Sequence, residues 1–132
     1  MMRYLLDTHT LLWYLDGNEK LSERSYDIIA DPDNEVLVSV ASLFEIAIKV
    51  KLGKVNLKSS ISEFASDLKH KEITLINILD LHLTQYQHIP LIEDHRDPFD
   101  RLIIATAVVE NAAILSADQK FSYYTNIVNV IR

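Results

Sequence analysis

The sequence contains no cysteine, which excludes disulfides and thiolate-held zinc and fits a reducing cytoplasm, where the chain is expected to reside. Glycine and proline are scarce, at 2 and 3 residues, while 48% of positions are apolar. That composition excludes a disordered or low-complexity chain and points to a compact core. No run of about 18 uncharged apolar residues occurs, so no membrane-spanning helix is expected. Arg3 and Asp7 break the early apolar run, so no N-terminal signal segment is expected either. Positive charge is also in short supply: 13 Lys and Arg face 19 Asp and Glu, a net charge of −6. A generic nucleic-acid binder carries the opposite balance. The length of 132 residues suits one ordinary domain, expected to span 1–132.

The few cations are unevenly spread. Lys49, Lys51, Lys54, Lys58, Lys69 and Lys71 are six of the eight lysines and fall within 23 residues. A solvated helix and loop surface accounts for such a cluster; so does a local landing strip for phosphates. Apolar patterning predicts strands at Tyr4–Leu6, Val36–Val38, within "EITLINI" (72–78), at Ala113–Ser116 and at Ile127–Val130. Helices are predicted at Thr8–Leu15, Ser22–Ala30, within "SVASLFEIAIKVKLGK" (39–54), at Ile61–Lys69, Leu79–His88, after Asp97-Pro98, and briefly at Gln119–Tyr124. The helix in 39–54 is expected to bury Leu43, Phe44, Ala47, Ile48 and Leu52 and to end at Gly53. Strands alternating with helices predict a parallel sheet with helices on both faces.

Four carboxylates gain interest from that arrangement. In an open parallel sheet, ligands bind beyond the carboxyl ends of the strands. Asp7 follows the first strand, Asp118 follows the fourth, Glu45 lies on the helix after the second, and Asp100 opens the helix that feeds the fourth. Each has an ordinary structural use as well. Asp7, Asp97 and Asp118 suit helix caps, and Ser42 with Glu45 matches a capping box. Four acids around one crevice, without a basic neighbour beside Asp7 or Glu45, are nonetheless the oxygen donors a hard cation such as Mg²⁺ or Mn²⁺ prefers.

The stretches "YLLDTHTLLWYL", "SVASLFEIAIKVKLGK", "HRDPFDRLIIATA" and "LSADQKF" together resemble the PIN-domain nucleases, and most closely the VapC-like toxins of type II toxin–antitoxin pairs. The likeness covers nearly the whole chain, in order. It implies a three-layer α/β/α sandwich with a five-stranded, mainly parallel sheet. It implies a metal-dependent endoribonuclease that uses Mg²⁺ or Mn²⁺ held by Asp7, Glu45, Asp100 and Asp118. Asp97 matches a frequent family acid, and Ser116 stands where the family usually has a small hydroxyl residue; with Thr8 and Thr10 they would orient the metal ligands. Lys49, Lys51, Lys54, Arg96 and Arg101 are the candidate grips on an RNA backbone. A VapB-like antitoxin and a second copy of the chain are the implied partners. "LHLTQYQHIPLI" is a candidate contact surface, with core packing as its more ordinary use.

Three other chemistries stay open on the sequence. His9 and His95 could run metal-free acid–base cleavage, although His9 is expected to fill a partly buried gap after the first strand. An Asp-nucleophile phosphatase would use Asp7, but the second acid such enzymes place two residues on is His9 here. A non-catalytic interaction module would use the acids as caps alone.

Overall fold

The computed structural model describes residues 2–132. Strand β1 (Arg3–Leu6) runs through Asp7 into α1 (Thr8–Asp16), and α2 (Glu23–Ala30) leads to β2 (Glu35–Ser39). Helix α3 (Val40–Lys51) follows at once, then α4 (Ile61–His70), β3 (Ile73–Ile76) and α5 (Asp80–Tyr86). Helix α6 (Pro98–Glu110), β4 (Ala113–Leu115), a 3-10 helix (Gln119–Tyr124) and β5 (Val130–Ile131) complete the chain. The five strands form one all-parallel sheet in the order β3-β2-β1-β4-β5.

Successive strand residues point to opposite faces, so neighbours in β1 feed two different cores. Leu6 joins Leu11, Val36, Val38, Leu43, Ile46, Phe64 and Leu68 on one face. Leu5 joins Leu37, Ile103, Ile104, Ile114, Phe121 and Tyr124 on the other. The result is a three-layer α/β/α sandwich. The chain builds outward from β1 to β3, then crosses back to add β4 and β5 on the opposite side of β1. Strand order therefore reverses between β1 and β4, where the loops leaving the two carboxyl ends part to opposite faces and open a crevice. The register Leu6↔Leu115 puts Asp7 and Ser116 side by side at its mouth.

Several elements differ from the expected ones. Helix α3 buries Ala41, Ser42, Leu43 and Ile46, whereas Phe44, Ile48 and Leu52 are 59%, 37% and 62% exposed. The helix is apolar around most of its circumference, so its pattern offers two faces, and the sheet takes the one that carries Leu43 and Ile46. Its cap is Ser39, whose Oγ accepts from Ala41 N at 3.1 Å, so Ser42 is not part of a capping box and Glu45 is interior to the helix. Gly53, at φ +74°, ends it as expected, with Lys54 N donating to Lys49 O at 2.8 Å. Strand β5 is Val130–Ile131 instead of Ile127–Val130, because the N–H groups of Ile127 and Val128 turn back to Tyr124 O. In "LHLTQYQHIPLI" (81–92), His82 and Ile89 are buried and Tyr86 and Ile92 pack partly against the core, while Leu81, Leu83 and Leu91, with Leu79 just before them, face solvent. No helix among the described residues is long and apolar enough to cross a membrane.

Candidate active site

Asp7 leaves β1 in extended conformation and caps α1, its Oδ1 accepting from Thr10 N at 2.8 Å. Its Oδ2 accepts from Ser116 Oγ at 2.5 Å. The side chain is 5% exposed. Burial pushes its pKa up, against the hydrogen bonds from Ser116 and Thr10 that favour the carboxylate. Ser116 Oγ also accepts from Asp118 N at 3.1 Å, so one hydroxyl joins the ends of β1 and β4 and fixes where the Asp118 backbone starts. Asp118 itself is exposed and caps the 3-10 helix through Lys120 N at 2.9 Å.

Asp100 is held in the first turn of α6. Asp97 caps that helix, accepting from Phe99 N at 2.8 Å and Asp100 N at 3.2 Å, and Pro98 occupies its first position. Asp100 Oδ2 lies 3.1 Å from His95 Nε2. Burial pushes the Asp100 pKa up to about 6, with the Asp97 and Glu45 carboxylates adding to the rise and His95 drawing it down. Glu45 reaches in from α3. Its Oε1 accepts from Thr8 Oγ1 at 2.5 Å, and its Oε2 lies 3.6 Å from Lys49 Nζ, which is 3.4 Å from His9 Nε2.

Two sets of polar contacts thus stand side by side: Asp118 N–Ser116–Asp7, and Thr8, the residue after Asp7, with Glu45, whose charge also acts on Asp100. Among the described residues, no three of His, Asp and Glu converge into a ready-made metal cage. The donor chemistry nevertheless suits a hard cation. All four acids offer oxygen alone, and no Lys or Arg among the described residues pairs with Asp7, Asp100 or Asp118. Asp97 is the exposed cap of α6, and its charge acts on Asp100 beside it.

The expected cations divide. Lys51, Lys54 and Arg96 are exposed, and Lys49 sits on Glu45. Arg101 is 5% exposed and faces inward: its guanidinium donates to Pro90 O at 2.8 Å and Ile89 O at 3.0 Å and lies over the Tyr86 ring. It braces the loop before α6 and offers nothing to a phosphate. His9 fills no gap; it is exposed, tilted against Trp13. Tyr124, which no local signal in the sequence singled out, donates or accepts at His95 Nδ1 across 2.8 Å.

Among curated proteins, none matches the sequence. Solved structures do resemble the fold. VapBC2 from Rickettsia felis, bound to a DNA fragment from its promoter, has 19% identity over 98% of both chains and a TM-score of 0.71. VapBC-1 from nontypeable Haemophilus influenzae has 19% identity over 98% of this chain and 97% of that one, with a TM-score of 0.65. FitAcB from Neisseria gonorrhoeae has 17% identity over 98% and 96%, with a TM-score of 0.64. At such identities the likeness bears on the fold. The family is given by sequence: residues 4–126 match the PIN domain, and the chain belongs to the PIN-domain family.

Proposed function

We propose that this protein is a metal-dependent endoribonuclease, the toxin of a toxin–antitoxin pair, acting in the cytoplasm on RNA phosphodiesters. What supports the reading is the link from Asp7 through Ser116 to Asp118 at the reversal of strand order, the Glu45 charge acting on Asp100, and the lack of a Lys or Arg counter-charge on Asp7, Asp100 and Asp118 among the described residues. Mg²⁺ or Mn²⁺ bound by these acids would supply Lewis acidity toward the phosphate and a water of lowered pKa. The chain's own residues prepare the donors. Ser116 and Thr10 hold the Asp7 carboxylate in one orientation against its burial. Thr8 aims one oxygen of Glu45, and Lys49 balances the other. Lys51, Lys54 and Arg96 are free at the surface to meet a phosphate backbone. Cleavage leaves 5′-phosphate and 3′-hydroxyl ends.

Histidine chemistry is disfavoured by burial. His95 is 2% exposed with both ring nitrogens engaged, and His9 stands alone beside a lysine. Partners follow from the likeness to structures named as VapBC complexes and as a toxin–antitoxin complex from Klebsiella pneumoniae. A VapB-like antitoxin would restrain this chain, its terminal segment placing an Arg or Lys among the acids. A homodimer is the expected assembly. The exposed leucines Leu79, Leu81, Leu83 and Leu91 are one surface for either contact. The test is RNA cleavage by the purified chain in Mg²⁺ or Mn²⁺, with excess EDTA abolishing it. Full activity in EDTA, or cyclic phosphate ends, overturns the reading.

A further inference from the structure

His95 belongs to a buried strut that joins two acid-bearing elements. Its Nε2 lies 3.1 Å from Asp100 Oδ2 and its Nδ1 lies 2.8 Å from the Tyr124 hydroxyl. An ionised carboxylate only accepts, so Nε2 carries the proton toward Asp100; in the neutral ring Nδ1 then accepts from the tyrosine O–H. Both side chains are packed in place. His95 is 2% and Tyr124 0% exposed, and the imidazole meets the Tyr124 ring at 5.4 Å and the Phe121 ring at 5.9 Å.

The backbone around the strut is tied as well. His95 N donates to Ile92 O at 3.0 Å, closing a tight turn. Arg101, the residue after Asp100, holds the other end of the same loop through the Ile89 and Pro90 carbonyls. Tyr124 is the last residue of the 3-10 helix that Asp118 caps. The line Asp100–His95–Tyr124 therefore runs from the start of α6 to the element that carries Asp118.

We propose that His95 is a positioning residue for Asp100, and that Tyr124, acting through His95, sets the separation of Asp100 from Asp118. This rests on the metal-nuclease reading above. A hydrogen bond to the far oxygen of a carboxylate fixes which lone pairs face the crevice, and loss of such a partner typically weakens metal binding by roughly 10–100-fold.

The test is Mn²⁺ binding by calorimetry on the full chain, beside melting in EDTA. The variants are Tyr124→Phe, His95→Gln, His95→Ala and Asp118→Asn. Tyr124→Phe removes one hydroxyl and keeps the ring packing; it is expected to weaken Mn²⁺ roughly tenfold. His95→Gln, whose amide can still donate to Asp100, is expected to retain more affinity than His95→Ala. Unchanged Mn²⁺ affinity in Tyr124→Phe and His95→Ala, with only a lowered melting temperature, overturns the proposal and leaves the strut as core packing. No Mn²⁺ binding by the wild type, and no difference from Asp118→Asn, overturns the metal reading itself and the proposal with it.

Discussion

The two ends of the sheet treat their acids in opposite ways. At the amino-terminal edge, Arg3 Nε lies 3.2 Å from Glu35 Oε2 and Arg3 Nη2 lies 3.4 Å from Glu110 Oε1. The Arg3 guanidinium also donates to the Glu110 carbonyl. His82 Nε2 lies 2.8 Å from Glu110 Oε2 while its Nδ1 accepts from Leu79 N, so one histidine ties the start of α5 to the end of α6. This pairing, His82 first, holds the Glu110 carboxyl below its ordinary range. At the carboxyl-terminal edge, burial pushes Asp7 and Asp100 the other way. Carboxylates thus clamp the elements at one end, as Glu35 and Glu110, and stay poorly compensated at the other, as Asp7 and Asp100. Uncompensated charge costs stability, so its persistence at one edge supports the proposal that the site lies there.

Breaking the comparison at the carboxyl-terminal edge gives the largest expected effect. Asp7→Asn and Asp118→Asn change ligand charge at nearly constant volume. Each should cut RNA cleavage at least about a hundredfold, about 2.7 kcal/mol of transition-state stabilisation, measured as initial rate in Mg²⁺ on protein shown to be folded. Breaking the other edge should cost stability instead. Arg3→Ala leaves Glu35 without a cation and the last carbonyl of α6 without its donor. A loss of about 1–2 kcal/mol is expected for these part-exposed contacts. The melting temperature should fall by roughly 3–8 °C, with cleavage well below the transition unchanged.

Smaller effects sharpen the contrast. Without metal, Asp7→Asn removes a buried charge and keeps the cap, since Asn serves there about as well as Asp. In EDTA at neutral pH it should melt higher than the wild type by roughly 2–5 °C. In Mg²⁺ the order should shrink or reverse, because only the wild type binds the ion well; a hundredfold excess over Kd stabilises it by roughly 2.7 kcal/mol. Equal melting in both conditions would return Asp7 to an ordinary cap.

The pH dependence should carry opposite signs at the two edges. Asp100 titrates near 6 when folded, above an unfolded value of about 3.9. The folded chain therefore binds the extra proton, and the ionised group costs stability as pH rises from about 4 through 6. The advantage of Asp100→Asn in EDTA should grow over that window and then level off. Glu110 is shifted downward, so its contribution is present above its unfolded value and is lost as pH falls through the folded one. The penalty of Glu110→Gln should therefore shrink in acid. Thermal melts from pH 3 to 8 check both.

The arrangement of strands and the positions of the four acids were legible because local signals agree with the fold. Asp7, Asp97 and Asp118 all cap the elements that follow them, and Pro98 starts α6. The buried face of α3 was not legible. Leu43 and Ile46 pack on the sheet while Phe44, Ile48 and Leu52 form an equally apolar stripe outside, and periodicity cannot choose between two such faces. Nor could spacing show that Arg101 turns inward, since its partners lie in the loop before α6. Lys49 is different: it stands four residues after Glu45 on the same helix and pairs with it, which corrects the expectation that Glu45 has no basic neighbour. The bond between His95 and Tyr124 spans 29 residues and leaves no local pattern.

The hydrogen bond from Ser116 to Asp7 joins residues 109 apart in sequence. A growing polypeptide cannot close that contact until Ser116 has been synthesised, and non-local pairings of parallel strands are slow to form even then. A nascent or truncated chain that ends before β4 carries Asp7, Glu45 and even Asp100 without the partner that completes the crevice. On the proposed reading, cleavage would therefore require β4 to be seated beside β1, and a chain without β4 would be inert.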